Sequence, residues 1–302
     1  ITMKNSHKTL LAAAISLGLM AGCNSQNDSE TPTPMVRFAT FNLSFDRTAA
    51  GMLAGELALS HTEQDALLAR LADGTLSGAE KTKALDVQQI RNIAEIVQRT
   101  RPDVFLLNEF DNDGKGSDTT DLKAFNDNYL AHAQHDEVKA ISYPVLQNFA
   151  TNTGLMSGYD LNLDGKVNNG PDDAWGFGNY HGQYAFAVMS QYPIDTKQIR
   201  TFQTFKWKDM PGEVNPVIDD CNNAKAPIPA GRQCGDAWYD DAAWQAFPLS
   251  SKNHADVPVR IKRGNKEEVI HFLISHPTPP IFGNAARHNV KHNRAEVAFW
   301  QD

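Results

Sequence analysis

The sequence is poor in positive charge. It has 28 Lys and Arg residues against 36 Asp and Glu residues, which gives a formal net charge of -8 with histidine neutral. No stretch of the chain is rich in Lys or Arg. Proteins that bind duplex phosphates tightly usually present a basic face, so the composition argues against a dedicated high-affinity nuclease. It leaves open a phosphoester hydrolase in which a bound metal ion supplies the positive charge.

The sequence also lacks an apolar run that could cross a membrane as a helix. Its apolar N-terminal stretch, Leu10 to Met20, is shorter than the ~20 residues that a membrane span requires. It follows two lysines, Lys4 and Lys8, and it precedes small residues that end at Cys23. This arrangement is typical of a secretory signal rather than of a membrane anchor helix.

The end of this segment, Leu-Met-Ala-Gly-Cys, resembles a bacterial lipobox, in which Cys23 is lipidated. We predict that residues 1–23 are a lipoprotein signal peptide, that residues 24–35 form a flexible polar tether, and that residues 36–302 form one folded domain. Asn24, rather than Asp, follows the cysteine, which is similar to lipoproteins of the outer membrane. The expected location is therefore the cell envelope, with the membrane as a partner through the lipid anchor.

Cysteine is scarce, with three residues in the whole chain. If Cys23 is lipidated, Cys221 and Cys234 remain, and neither belongs to a group with the ligand spacing of a zinc site. In an oxidising periplasm the two residues predict a disulfide, which would close a short loop and stabilise the fold by about 3 kcal/mol in the chain-entropy model. Two free thiols are the alternative.

Two polar side chains follow strand-like segments in the N-terminal half. Val36 to Phe41 alternates and predicts a strand that delivers Asn42 at its end, and Val104 to Leu107 predicts a buried strand with Glu109 just past it. Mg²⁺ is commonly held by carboxylate and other oxygen ligands, so this pattern predicts a magnesium site formed by Glu109 and Asn42. The alternatives are a loop carboxylate and a turn-forming asparagine.

The chain between these strands has a helical pattern. Residues 48–84 are acidic and leucine-rich, which predicts a helical cover. The segment from Asp86 to Arg99 predicts a helix because its apolar residues fall on one face, and Pro102 follows its end.

Two further polar side chains lie beside strand-like segments in the C-terminal half. Tyr184 precedes an apolar run that ends at Ser190, and His276 stands between a strand-like segment and Pro277. A histidine fixed in this way suits hydrogen bonding to a phosphate oxygen that gains charge in a transition state. The alternatives are a structural histidine and a buried tyrosine with a satisfied hydroxyl.

Four segments together resemble the endonuclease/exonuclease/phosphatase superfamily of metal-dependent phosphoesterases: Thr40-Phe41-Asn42, Leu107-Asn108-Glu109-Phe110-Asp111, His181-Gly182-Gln183-Tyr184 and Ser275-His276-Pro277. The resemblance extends from Met35 to the last residue. It implies an α/β fold, a four-layer sandwich of two mixed β-sheets flanked by helices. It also implies that Glu109 is the principal metal ligand, that Asn42 supports the site, and that Tyr184 and His276 act on the phosphate. Further segments resemble a secreted bacterial branch of phytase-like and general phosphoesterases.

Two motifs of this superfamily are not found in the sequence. A Gly-Asp-x-Asn motif and a later Ser-Asp-His-like motif are expected after Trp300, whereas the sequence stops at Asp302, and Gly235-Asp236 has Trp238 where asparagine is required. The resemblance therefore implies that the polypeptide is the N-terminal part of a longer enzyme. We expect residues 24–302 to hydrolyse phosphoesters hardly above background and to expose apolar surface.

The segment Asp160-Leu161-Asn162-Leu163-Asp164-Gly165 matches the first half of an EF-hand-type loop. Its second half fails, because Pro171 stands where a bidentate glutamate is expected. The segment predicts either a calcium loop formed by Asp160, Asn162 and Asp164 or an Asx-rich turn.

The sequence therefore predicts a metal-dependent phosphoesterase of the cell envelope that uses Mg²⁺ or Mn²⁺ and acts on phosphomonoesters or phosphodiesters. An extracellular nuclease and a phospholipid-head-group phosphodiesterase are alternatives that differ in substrate. A non-catalytic surface binding module stabilised by Ca²⁺ is the alternative of another class.

Overall fold

The first sheet is built from the apolar segments that the sequence marks as strands. In the computed structural model, which describes residues 35–301, β1 (Phe38–Phe45) pairs in parallel with β2 (Val104–Phe110). β4 (Phe186–Ser190) pairs antiparallel with both β2 and β3 (Val145–Asn148), so the strand order is β1-β2-β4-β3. β4 is buried throughout and β2 nearly so, because the sheet is covered on both faces.

Helices cover one face of this sheet. The segment from 48 to 84 forms α1 (Met52–Leu57), α2 (His61–Ala72) and the start of α3 (Gly78–Thr100), which confirms the predicted helical cover. α3 begins at Gly78 rather than at Asp86, because the buried residue Ala84 continues its apolar face by one turn. α4 (Thr120–Phe125) and a π-helical turn at 126–130 complete this layer.

The second sheet consists of β5 (Arg200–Thr201), β6 (His254–Arg263) and β7 (Lys266–Ser275). All its pairings among the described residues are antiparallel, whereas the first sheet combines parallel and antiparallel pairs. The reason is local, since two residues join β6 to β7 and such a short link permits only a hairpin. Gly264 in this turn has φ +61°, a conformation that favours glycine.

The two sheets pack against each other through aliphatic side chains. The alternation of β2 sends Phe105 and Leu107 towards the helices and Val104 and Leu106 towards the second sheet. From the second sheet, the buried residues Ala255, Val257, Val259, Ile261 and Ile274 contribute to this core. The predicted α/β fold of two sheets flanked by helices is therefore confirmed. β7 is an edge strand within residues 35–301, and its residues Val269 and Leu273 are half exposed.

A third core, which we call the aromatic cluster, lies between α5 (Asp241–Ala246) and α6 (His288–Ala298). It contains Trp207, Trp238, Tyr239, Trp244 and Phe247. Cys221 packs against it and forms a disulfide with Cys234, with the two Cα atoms 5.7 Å apart.

The predicted signal peptide, Cys23 and all of the predicted tether except Met35 lie outside the described residues. Within residues 35–301 no helix has the length and apolar character that a membrane crossing requires.

Candidate active site

A break in the pairing of β1 with β2 shapes the candidate site. Asn42 pairs with Asn108 and Phe45 with Phe110, so two residues of β1 stand against Glu109 alone. Ser44 and Glu109 both have positive φ, at 53° and 58°. Asn42 and Glu109 therefore lie within the strands rather than past their ends as predicted, because the pairing resumes after the bulge. Bulges redirect side chains, and strained backbone of this kind clusters at functional sites.

Glu109 is the centre of a hydrogen-bonded group. Asn42 donates from Nδ2 to Glu109 Oε1 over 2.8 Å, and His276 Nε2 lies 3.3 Å from the same oxygen. The hydrogen bond from His276 is the largest influence on Glu109 and, with that from Asn42, holds the pKa of the carboxyl below its usual value despite burial. Burial lowers the pKa of His276. A charged carboxylate next to a neutral imidazole is the resulting state.

Asn42 takes part in the site as a donor. Its Oδ1 accepts the Ser44 N–H over 2.9 Å, so its amide nitrogen, not its oxygen, faces Glu109. The side chain therefore orients the carboxylate and keeps it ionised. This arrangement matches the supporting role that the family resemblance implies, more closely than a role as an oxygen ligand.

Asp46 is a second carboxylate that the sequence reasoning missed. Burial raises its pKa, and the charge of Glu109 raises it further. A carboxylate whose ionisation is disfavoured by a second carboxylate would be stabilised in its charged form by a cation between them. The sequence could have indicated Asp46, because it directly follows the last residue of β1. Glu109 was identified from the same kind of position after the predicted second strand.

Glu109 and Asp46 fit a magnesium ion. Mg²⁺ is usually held by one or two carboxylates, with water and substrate phosphate as the remaining ligands. Among residues 35–301 no group of three or more His, Cys, Asp or Glu side chains has metal-binding geometry. Glu109 and Asp46 are therefore the carboxylates that would hold such an ion.

Tyr184 lies at the same site in a strained conformation. Its φ is 58°, and its N–H donates to Asp111 Oδ1 over 2.9 Å. Its hydroxyl makes no hydrogen bond to any residue of the described chain, which differs from the satisfied buried tyrosine that was the alternative. Burial, with the charges of Asp46 and Glu109, raises the pKa of Tyr184. The hydroxyl is therefore a protonated donor available to a ligand.

Asp111 is the last residue of the motif that contains Glu109, and the sequence alone assigned it no role. Its carboxylate accepts the N–H groups of Tyr184 and Arg47 and the hydroxyl of Tyr180. Burial raises its pKa to about 6. Asp111 therefore positions Tyr184 and the segment after β1 rather than contacting a ligand.

Glu296 lies on α6 and accepts hydrogen bonds from two segments of the site. Its Oε1 accepts the N–H of Ser251 and its Oε2 the N–H of Thr278, both over 2.7 Å. Ser251 immediately precedes Lys252 in the chain, and Thr278 belongs to the turn that follows His276. Glu296 is 1% exposed, so one buried carboxylate holds two segments of the site together.

A cavity of about 1010 Å³ joins these groups. One set of its lining residues is polar and consists of Asn42, Glu109, Tyr184, Lys252 and His276. Another is aromatic and consists of Trp175, Phe177, Trp238, Tyr239 and Phe247. Cavities of this size that combine an apolar wall with a few polar groups are typical of small-molecule sites.

The predicted calcium loop has the hydrogen bonds of a turn. Asp164 N–H donates to Asp160 Oδ1 over 3.1 Å and to Asn162 Oδ1 over 3.0 Å, and Gly165 N–H donates to Asp160 Oδ2 over 2.8 Å. These are the contacts of the Asx-rich turn that was the alternative. Calcium binding by Asp160, Asn162 and Asp164 stays a prediction.

A family model described as the Endonuclease/Exonuclease/phosphatase family matches residues 39–286, which include Asn42, Glu109, Tyr184 and His276. The chain belongs to this family. Proteins of the endonuclease/exonuclease/phosphatase family are hydrolases that act on phosphoester bonds, and they commonly use divalent metals such as Mg²⁺. No curated protein and no solved structure gave a significant match.

Proposed function

We propose that this protein is a Mg²⁺-dependent phosphoesterase whose site is built on Glu109. The observation that carries the proposal is the convergence of Asn42 and His276 on one Glu109 oxygen at the edge of a cavity. Glu109 and Asp46 would hold the metal. When bound, Mg²⁺ would polarise the phosphoryl oxygens and offset their negative charge.

The chain's own groups then have separate roles. Asn42 keeps the Glu109 carboxylate charged and oriented. The contact of His276 Nε2 with Glu109 is 3.3 Å long, at the long end of the range for a hydrogen bond, so His276 would be able to exchange it for a bond to a non-bridging phosphate oxygen. Tyr184 would donate its free hydroxyl to another phosphate oxygen, and water would attack in line.

The cavity supports a small phosphoester as substrate. Its volume of about 1010 Å³ and its aromatic wall suit an organic group next to the phosphate. The net charge of -8 gives no basic face for a duplex. We propose a low-molecular-weight phosphomonoester or phosphodiester, with a nuclease or a phospholipid-head-group phosphodiesterase as alternatives. Lipidation of Cys23, which would place the enzyme at the outer membrane, is part of the same proposal.

The function is tested with a panel of substrates. Protein produced from the complete gene and a polypeptide of residues 24–302 would each be assayed with Mg²⁺ or Mn²⁺ on aryl phosphomonoesters, bis-nitrophenyl phosphate, plasmid DNA and phosphatidylcholine vesicles. The protein from the complete gene is expected to show metal-dependent turnover that Glu109→Gln abolishes and that Glu267→Gln, an exposed control on β7, preserves. Residues 24–302 alone should turn over hardly above background. Cleavage of plasmid alone would establish a nuclease, and release of phosphocholine alone the lipid alternative.

A binding module remains the alternative of another class. It would be favoured if Ca²⁺ raised the Tm and no ester were hydrolysed by any form of the protein. Variants of Asp160 and Asp164 would then remove the Ca²⁺ effect, whereas Glu109→Gln would not.

A further inference from the structure

Lys252 is a buried cation without a partner. The residue is 6% exposed and lies in the segment immediately before β6. Its ammonium group makes no hydrogen bond or ion pair with any residue between 35 and 301, and the influences on its pKa are burial and the more distant charges of Glu296 and Glu109. By contrast, the half-buried Lys206 donates from Nζ to the Ala246 carbonyl over 2.7 Å. A buried charge without compensation destabilises a fold.

The backbone holds this cation in place. The carbonyl of Lys252 accepts the Asn152 N–H over 2.9 Å. The preceding residue, Ser251, donates its N–H and hydroxyl to Glu296, and the following residue, Asn253, donates to the Ala150 carbonyl over 3.0 Å. The segment is therefore rigid, and its position does not depend on a ligand. Fixed charges of this kind stabilise a bound anion without reorganisation.

Lys252 lines the same cavity as Glu109, Tyr184 and His276. The other charged group that acts on Lys252 is Glu296, and its two oxygens already accept backbone N–H groups. The N–H groups of the Lys252 ammonium therefore have no acceptor among residues 35–301. They lie in a cavity that is also lined by the candidate phosphate-binding groups.

We propose that Lys252 binds the non-bridging oxygens of a phosphoryl group and is the fixed cation of the substrate site. The inference rests on the proposed phosphoesterase function and names its anion-binding residue. A lysine ammonium acts as a point charge towards phosphate and needs no fixed angle. The metal at Glu109 and the ammonium of Lys252 would together offset the charge of a phosphomonoester dianion, which the chain otherwise repels.

The proposal is tested with inorganic phosphate as the probe, in the presence of Mg²⁺, by calorimetry on the full chain. Lys252→Met is expected to weaken phosphate binding about 10- to 100-fold, as for loss of a hydrogen bond to a charged group. Its Mg²⁺ affinity, measured without phosphate, should be no lower than that of the wild type, because the substitution removes a positive charge near Glu109. Lys252→Arg should keep most of the phosphate affinity. Lys206→Met is the matched control, because it removes a hydrogen-bonded lysine outside the cavity lining and should leave phosphate binding unchanged.

Thermal unfolding separates this role from a structural one. Without phosphate, Lys252→Met should raise the Tm, because it removes a buried charge that has no partner. With phosphate, the Tm of the wild type should rise and that of Lys252→Met should not. If Lys252→Met does not fold, Lys252→Gln serves as the neutral variant. Phosphate binding by the neutral variant at the affinity of the wild type would overturn the proposal, as would a wild type that binds Mg²⁺ but no phosphate.

The outcome also distinguishes this inference from the function on which it rests. Phosphate binding that depends on Lys252, in a protein that hydrolyses none of the substrates, would support the anion site and contradict the phosphoesterase. Metal-dependent hydrolysis that survives in Lys252→Met with an unchanged KM would support the phosphoesterase and contradict the anion site.

Discussion

A single oxygen atom, Oε1 of Glu109, receives both a donor from β1 and the histidine that follows β7. Both act on the charge and direction of the carboxylate. The contribution of Asn42 is therefore expected in metal binding, whereas His276 is also proposed to contact the phosphate.

The first prediction concerns Asn42. Asn42→Ala should weaken Mg²⁺ binding about tenfold, because it removes one hydrogen bond to the charged carboxylate, worth about 1.5 kcal/mol. Glu109→Gln should reduce Mg²⁺ binding to below detection, since an amide cannot replace the charge. Calorimetric titration with MgCl₂ measures both. Equal losses in the two variants would contradict the supporting role of Asn42.

The second prediction concerns Glu296. Glu296→Gln should lower the free energy of unfolding by about 2 kcal/mol, because an NH₂ group would face one of the two backbone N–H groups and leave it unsatisfied. Urea unfolding measures the effect, with the exposed residue Glu268→Gln as control. An unchanged midpoint for Glu296→Gln would show that the Ser251 and Thr278 segments are held by other contacts.

At the scale of elements, the segment after β1 is fixed by a buried ion pair with α1. Arg47 Nε donates to Glu56 Oε2 over 2.7 Å, and the Arg47 N–H donates to Asp111. Burial raises the pKa of Glu56 from 4.5 to about 7, although Arg47 opposes the shift. The position of Asp46, which lies next to Arg47 in the chain, depends on these contacts.

The third prediction follows from the sign of this shift. The folded protein retains a proton on Glu56 at pH values where the unfolded chain has lost it, so the contribution of Glu56 to stability is present below about pH 4.5 and is lost as the pH rises to about 7. Urea unfolding at pH 5 and pH 7.5 should show a smaller loss of stability in Glu56→Gln than in the wild type. The exposed variant Glu267→Gln should keep the wild-type difference. An equal loss of stability between pH 5 and pH 7.5 in all three proteins would contradict the raised pKa of Glu56.

The sequence predicted elements better than it predicted their junctions. β2 and α3 follow from apolar periodicity, because burial on a strand or a helix face has a fixed period. The bulge opposite Glu109 could not be predicted in this way, since it depends on pairing between segments whose partners, Asn42 and Asn108, are far apart in the chain. Periodicity therefore placed Asn42 past a strand that in fact continues to Phe45.

The same limit explains which site residues were found. Asn42, Glu109, Tyr184 and His276 were identified because they stand in short motifs beside strands. Lys252 and Glu296 do not stand out as site residues in the sequence, because their roles arise from contacts that only the tertiary structure forms. No pattern of spacing distinguishes a buried unpaired lysine from an exposed one.

At the scale of the whole molecule, the cavity brings together a polar site at the sheet edges and the aromatic cluster. Phe177 is 53% exposed and lines the cavity. The two parts of the cavity therefore have different chemistry, and a substrate that spans them needs both a phosphate and an apolar group.

The fourth prediction uses this exposed aromatic residue. Phe177→Ala should raise KM for aryl phosphomonoesters several-fold, as expected for the loss of about 1 kcal/mol of aromatic contact, and should leave inorganic phosphate binding unchanged. Steady-state kinetics and calorimetry measure the two quantities. Val214→Ala, an exposed apolar change elsewhere, serves as control. A lower phosphate affinity in Phe177→Ala would place this side chain at the anion site instead.

The fifth prediction concerns the surface of residues 24–302. Val269 and Leu273 on edge strand β7 and Phe282 after it are 50%, 47% and 85% exposed. A polypeptide of residues 24–302 should therefore bind a hydrophobic dye, and Val269→Lys with Leu273→Lys should reduce the signal. Fluorescence titration at matched protein concentrations gives the answer. A polypeptide that neither binds dye nor aggregates would contradict the expected apolar surface.

The contact between Glu109 and His276 spans 167 positions of the chain, and this spacing sets an order of events during biosynthesis. A ribosome that adds about 5–20 residues per second needs on the order of ten seconds or more to pass from one residue to the other. During that interval Asn42 and Glu109 are already made, whereas His276 does not yet exist. A nascent chain therefore presents the Glu109 carboxylate without its histidine until synthesis has passed residue 276.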